Sequence, residues 1–182
     1  MGQPIWFYRT AAEWTAIAQR LKLTPCPHCQ VVGALNRHGS RYGYDGSNPR
    51  PTLRARRVFC SDRNARPGCG KTFSIWMADK IKRLSLNTAA LGAFLQCAIA
   101  DGIRTAIGAS DGQRSERTWW RVWRRFRLGQ STIRTALAGR CPPPELPAER
   151  KPAAQVLAHL RAAFPDADPI AAFQQTLRTF FV

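Results

Sequence analysis

Four cysteines in the first half of the chain fall into two groups whose spacing suits a metal site. Cys26 and Cys29 are separated by two residues, so one tight turn can direct both thiolates at a single ion. Cys60 and Cys69 follow after a long interval and can complete a tetrahedron, the geometry that Zn²⁺ takes in structural sites. The pattern therefore predicts one Zn²⁺ ion held by these four thiolates.

Other interpretations of the cysteines stay open at this level. Eight residues separate Cys60 from Cys69, where roughly two to four are usual. Two disulfides would suit a secreted protein, but the sequence begins with no signal peptide. A redox CxxC normally opens a helix, whereas Pro27 and the polar residues after Cys29 favour a turn. His38 could replace one cysteine as a ligand. Cys97 and Cys141 are predicted to be unligated.

The residues between the two cysteine groups predict a strand, a long loop and a second strand. This is the layout of a zinc ribbon, which we place over residues 24–75. The stretch from Asp45 to Pro51 is rich in Gly, Ser, Asn and Pro and is predicted to be a mobile hairpin tip. Basic residues flank it, and they are either candidate contacts to nucleic-acid phosphates or a solvated loop: Arg54, Arg56 and Arg57.

A helix is predicted on each side of this ribbon. Thr10 and Glu13 form a capping box at the start of an N-terminal helix, within residues 1–23, that packs on the ribbon. Residues 76–139 show a long helix, a short helix, a loop and a third helix, the order of a helix-turn-helix domain. A Pro-rich linker over 140–152 leads to a C-terminal helical pair over 153–182. This pair is expected to dock back on the body, with a docking or dimer surface as the alternative.

The third helix of this series has two chemically different faces. At about 100° per residue, Trp119, Val122, Trp123 and Phe126 fall on one side. The opposite side carries four arginines that lack acidic partners one turn away, so it favours contact with an anion over a merely solvated face. A recognition helix needs this division, because it must be anchored while it enters the major groove. The predicted nucleic-acid contacts are Arg117, Arg121, Arg124 and Arg125.

The overall charge points to polyanionic partners. The chain has 182 residues, with 28 Lys and Arg against 11 Asp and Glu, and a formal net charge of +17. Such a balance indicates polyphosphates or anionic membranes as partners. The longest apolar stretch is interrupted by polar and charged residues, so no membrane segment is predicted. With no targeting signal, the expected location is a reducing cytoplasm, where a cysteine cluster indicates metal.

These observations predict an α+β fold that is mostly α. It would consist of a small N-terminal zinc ribbon followed by a helical helix-turn-helix domain and two C-terminal helices. The predicted ribbon and the predicted helix-turn-helix domain together resemble the zinc-ribbon and helix-turn-helix proteins of bacterial insertion sequences, over roughly residues 24–138. Those proteins carry a CPxC knuckle, a basic strand ending in cysteine, a CG-[RK]-TF motif and a helix-turn-helix. The matching segments are Cys26–Cys29, Arg56–Cys60, Cys69–Phe73 and Ser115–Phe126.

The resemblance implies sequence-specific binding of double-stranded DNA, at transposon ends or at a promoter. The chain departs from the family in the insertion Ser61–Gly68 and in the absence of a following nuclease domain. Two-metal nuclease chemistry needs three spaced carboxylates on a fold of their own, and the acids after the third helix lie in the predicted linker and helix caps. We therefore expect a non-enzymatic, nucleoid-associated accessory or regulatory subunit, working with a separate transposase or recombinase, with a homodimer possible. The alternatives are a transcription regulator unrelated to transposition and a zinc-ribbon adaptor for RNA or a protein.

Overall fold

The computed structural model describes residues 6–44, 50–82, 84–110, 114–145 and 152–182. Three of the predicted loops lie partly outside these ranges: residues 45–49 of the hairpin tip, residues 111–113 before the third helix, and residues 146–151 of the Pro-rich linker. The described strands are β1 Trp6–Tyr8, β2 Leu35–Gly43, β3 Thr52–Cys60 and β4 Thr72–Met77. The described helices are α1 Ala11–Arg20, α2 Thr88–Ala100, α3 Ile103–Ala109, α4 Glu116–Ala138, α5 Pro152–Ala163 and α6 Pro169–Leu177.

The four strands form one mixed sheet in the order β1-β4-β3-β2. β2, β3 and β4 pair antiparallel, and β1 pairs parallel with β4, with Phe7 opposite Trp76. A parallel pair requires a crossover connection, which here includes α1 and the first cysteine pair. The sheet therefore joins the N-terminal segment to the middle of the chain.

Alternating side chains on the outer strand pack against opposite sides of the sheet. On one side, Tyr8 is buried beside Trp14 of α1, in a core that also includes Cys26 and Cys60. On the other side, Phe7 packs against Ala171 of α6. The alternation follows from the pleat of a strand, which directs successive side chains to opposite faces. A three-residue strand thus holds α1 and α6 to the same sheet.

The predicted layout of a ribbon, then a helix-turn-helix domain, then two further helices is wrong. The strands expected to form an N-terminal ribbon belong to a four-stranded mixed sheet in the middle of the fold, together with β1, and the described residues also form six α-helices. α5 and α6 share a single hydrophobic core with α2, α3 and α4. The ribbon prediction failed because spacing in the sequence does not show that a short apolar run at the N-terminus pairs with β4.

Polar contacts fasten α6 to the sheet and to α2. Gln174 is fully buried, and its amide donates to the carbonyls of Ala78 (2.7 Å) and Lys80 (3.2 Å) just after β4. Asp168 caps α6 and also accepts a 2.6 Å hydrogen bond from the hydroxyl of Thr88, the first residue of α2. Buried polar groups need such partners, since each one left unpaired costs free energy.

No helix in the described ranges is both long enough and apolar enough to cross a lipid bilayer. The longest of them, α4, has 23 residues and carries six arginines and Glu116. Trp119, Val122 and Phe126 lie along one stripe of this helix that is buried in the helical core.

We expect Gln174→Leu to destabilise the fold, because it keeps the side chain's bulk but removes the amide that satisfies two buried carbonyls. Each buried group left unpaired costs about 1–3 kcal/mol. Chemical denaturation measures the loss. Gln96→Leu is the matched control, because Gln96 lies on α2 and is exposed. Equal stability of the two variants would contradict the docking of α6 on the sheet.

Candidate functional site

Four sulfur atoms lie close together where β3 ends and the segment after α1 begins. Cys26, Cys29, Cys60 and Cys69 each place Sγ within 4.8 Å of the other three. The Cys26–Cys69 and Cys29–Cys60 sulfur distances are 3.9 and 3.7 Å. A disulfide would require about 2.05 Å. A tetrahedral ion with metal–sulfur bonds of about 2.3 Å would instead separate its sulfur ligands by about 3.8 Å. The cluster therefore has the size of a four-thiolate metal site.

The first cysteine pair lies on a tight turn whose backbone amides point at sulfur. The Gln30 N–H donates to the Cys26 carbonyl at 2.9 Å, and Gln30 adopts a φ of 63° to complete the turn. The His28 N–H donates to the Cys26 sulfur at 3.4 Å. The Val31 N–H donates to the Cys29 sulfur. Donors of this kind stabilise thiolates, which are the metal-binding form of cysteine.

The second pair is brought together by a closed loop, which accounts for its long spacing. The Gly68 N–H donates to the Ser61 carbonyl at 3.1 Å. The residues between them therefore form a loop whose two ends lie side by side. A Cβ on Gly68 would lie 2.1 Å from that carbonyl oxygen, so only glycine fits there. The Cys69 N–H then reaches the Cys60 sulfur at 3.4 Å. The insertion therefore leaves the geometry of two adjacent ligands intact.

The thiols of Cys29, Cys60 and Cys69 differ in acidity. The Val31 N–H lowers the pKa of Cys29 to about 7, whereas burial raises the pKa of Cys60 to about 12. Burial also raises the pKa of Cys69, while a hydrogen bond from the Lys71 N–H acts in the opposite direction. Without a metal, the cluster therefore retains protons at neutral pH. A divalent ion would have to displace them to bind four thiolates.

The other cysteines and the alternative histidine ligand lie outside this cluster. His38 is exposed on β2, with its ring 5.5 Å from the ring of Phe59. The Cys97 thiol contacts the carboxylate of Asp101 at 3.7 Å. The Cys141 carbonyl is 2.9 Å from a ring nitrogen of His159, on α5. The structure thus brings together the four cysteines chosen from the sequence. The backbone amides that hold the sulfurs were not predicted from the sequence, although a CPxC turn is a signal for them.

A row of arginines covers the outer side of α4. Arg117, Arg121, Arg124 and Arg125 are all exposed, and we call these four the arginine face. None of the four forms an ion pair with any acidic group that the structure describes. Along one flank of the arginine face runs an open groove of about 680 Å³, whose lining includes the half-buried Trp123 and the exposed side chains of Trp120 (44% exposed) and Leu128 (73%).

The three arginines predicted around the hairpin tip occupy different environments. Arg54 is only 8% exposed, and its guanidinium donates to the carbonyls of Tyr44, Ile81 and Leu84. Arg56 donates to the Ser40 hydroxyl at 2.8 Å and lies over the Trp14 ring. Arg57 is half-buried. Arg54 and Arg56 therefore contribute to the internal structure, and the hairpin arginines do not form one surface with the arginine face.

No protein-family model, curated protein or solved structure matches this chain. The features of this protein that bear on its function are therefore the geometry of the cysteine cluster and the arrangement of charge.

We expect the purified protein to contain about one metal ion per chain and Cys60→Ser to lose it, because a serine hydroxyl is a poor substitute for a thiolate. Elemental analysis of the two proteins measures this. Cys97→Ser is the matched control, since Cys97 lies outside the cluster, and it should retain the metal. A metal-free parent, or full occupancy in Cys60→Ser, would contradict the site.

We also expect the affinity for the metal to rise with pH. Protons on Cys60 and Cys69, whose pKa values are raised, compete with the ion, and raising the pH removes this competition. Displacement of two protons corresponds to an increase of about 100-fold per pH unit around neutrality. Competition with a chelator of known affinity, repeated across pH, measures the slope. A flat profile would show that the thiols are not protonated in the metal-free chain.

Proposed function

We propose that the protein binds double-stranded DNA through the arginine face of α4. The observation that carries the proposal is the combination of exposure and missing counter-charge at Arg117, Arg121, Arg124 and Arg125. Four cations on one helix face repel one another, and phosphates remove that repulsion. Guanidinium groups suit this task, because they bind phosphate oxygens and guanine edges in bidentate fashion.

The position of α4 supports entry into a groove of DNA. A helix with its side chains is roughly 10–12 Å across, close to the width of the major groove. Trp119, Val122 and Phe126 are buried beneath α4 and hold it to the rest of the protein. Phe94 of α2 stacks on Trp119 with a ring separation of 4.3 Å. The arginine face is therefore presented on a rigid element.

Zn²⁺ is the ion proposed for the cysteine cluster. Four thiolate ligands suit zinc or iron, and zinc takes closed four-cysteine sites whose role is structural. The sulfur separations of 3.7 and 3.9 Å are compatible with it. In this assignment the ion holds the N-terminal segment against the sheet and performs no chemistry.

The proposed biological role is that of a non-enzymatic accessory or regulatory subunit of a bacterial mobile element. The resemblance of the CPxC and CGKTF motifs to insertion-sequence proteins supports this role. In this proposed role the protein acts on the nucleoid, beside a separate transposase or recombinase that supplies the catalysis. Selection of bound fragments from a random DNA pool would show whether one sequence is preferred. Preference for structured RNA over duplex DNA would instead favour the role of an RNA adaptor.

We expect Arg121→Ala and Arg124→Ala to weaken binding of duplex DNA without lowering the melting temperature, because both side chains are exposed. Each lost phosphate contact should reduce the slope of log affinity against log salt by about 0.9. If one arginine reads a guanine, its loss should relax preference at one base position by roughly 1–3 kcal/mol. Binding titrations at several salt concentrations, paired with thermal melts, measure these effects.

The matched control is Arg20→Ala, which removes one exposed arginine from the end of α1. It changes the net charge by the same amount and should leave the affinity close to that of the parent. Equal losses in the control and the α4 variants would mean that net charge alone drives binding. Arginine-face variants that bind like the parent would rule out α4 as the DNA-contacting element.

A further inference from the structure

A second groove lies at the other side of the charged surface, where the sheet meets the segment after β4. It has a volume of about 390 Å³ and includes side chains from the end of β2, from β4 and from Lys82, Leu84 and Ser85. We call it the sheet groove. It shares Leu84 and Ser85 with a neighbouring groove that extends to Arg121 and Arg125. No residue of the arginine face lines the sheet groove, so DNA binding by that face does not account for this groove.

The sheet groove has an unusual concentration of accessible aromatic rings. Tyr42 is 64% exposed and Tyr44 is 58% exposed, although large aromatic side chains are normally packed. Trp76 is half-buried in the same groove, with the Arg41 guanidinium 5.5 Å from its ring centre. One edge of Trp76 rests on Phe180, at a ring separation of 5.4 Å. The two tyrosines thus leave their rings available beside a tryptophan that is held in place.

Positive charge surrounds these rings. Arg41 and Lys82 are exposed at the groove, and none of the lining residues that the structure describes is acidic. Lys82 also lies 5.1 Å from the Phe180 ring, which keeps its ammonium group beside the aromatic cluster. The charge favours an anionic occupant over a neutral or basic peptide.

We propose that the sheet groove binds single-stranded nucleic acid by stacking unpaired bases on Tyr42 and Tyr44. Arg41 and Lys82 neutralise the adjacent phosphates. Exposed aromatic rings within a positive groove are the combination that single strands require, because every base offers a flat face for stacking. Bases within a duplex are already stacked on one another and cannot reach these rings. The sheet groove therefore differs from the arginine face in the form of nucleic acid that it takes.

The test uses the full-length, metal-loaded protein and three labelled probes: an oligothymidine, an oligouridine of the same length, and a hairpin duplex. Fluorescence anisotropy at fixed salt gives an affinity for each. Tyr42→Ala and Tyr44→Ala should each weaken binding of the single strands roughly 5- to 150-fold, the range for loss of one base–aromatic stack. Tyr42→Phe keeps the ring and should bind like the parent. Comparison of the two single strands shows whether DNA or RNA is preferred.

Leu23→Ala is the matched control, because Leu23 is exposed (77%) on the segment after α1 and contributes nothing to the groove. Ultraviolet crosslinking of the oligothymidine, followed by peptide mapping, should recover Tyr42, Tyr44 or Trp76. A variant that combines Tyr42→Ala with Tyr44→Ala gives the decisive result. The proposal is overturned if this variant binds single strands like the parent, or if its affinities for the duplex and for the single strands fall equally. The proposed duplex function can fail separately: Arg121→Ala would then leave duplex affinity unchanged while the tyrosine variants still lose the single strands.

Discussion

Four sulfur atoms held within 4.8 Å of one another constrain the whole N-terminal half of this protein. Cys26 and Cys60 are fully buried, so their thiolates cannot be stabilised by water. Four neighbouring thiolates would also repel one another, and a divalent ion removes both penalties at once. Cys60 is the last residue of β3, and Cys69 precedes β4. Binding an ion at this point therefore closes the β3–β4 connection and attaches it to the segment that follows α1.

The sheet transmits this constraint to the helices. β1 precedes the cysteines in the chain, yet it pairs with β4, which follows them, so the cysteine cluster lies within the connection that a parallel pair needs. Phe7 of β1 then packs on α6, and the buried amide of Gln174 holds α6 to the end of β4. The cysteine cluster and the helical core are therefore parts of one packed structure, joined through β1 and β4.

Local patterns predicted the features that depend on neighbours in sequence. Cys26 and Cys29 could be assigned to one turn because two intervening residues leave little choice of geometry. The division of α4 into an apolar stripe and a charged face follows from helical periodicity alone. The starts of α1 at Thr10 and of α6 at Asp168 were predictable for the same reason, since a capping side chain accepts hydrogen bonds from amides only two or three residues away.

Features that depend on distant partners were not predictable in this way. β1 has only three residues, and nothing in its sequence indicates that its partner is β4. Arg54 was predicted as a candidate phosphate contact, or as part of a solvated loop, but it donates to carbonyls 27 and 30 residues further along the chain. A basic residue near a turn normally faces solvent, and only the folded chain shows that its guanidinium is enclosed. The same limit hid the sheet groove, because Tyr42 and Lys82 come together only through the sheet.

The two proposed binding surfaces meet at a shared rim formed by Leu84 and Ser85, and two arginines hold that rim in place. Arg114 donates to the carbonyl of Ser85, and its guanidinium lies 5.7 Å from the centre of the Trp119 ring at the start of α4. The segment that borders the sheet groove is therefore fastened to the helix that carries the arginine face. Arg54 donates to the neighbouring carbonyl of Leu84, so both residues of the rim are held by an arginine. Arg114 and Arg54 thus fix the spacing between the exposed tyrosines and the arginine face, and this spacing determines whether one nucleic acid could contact both.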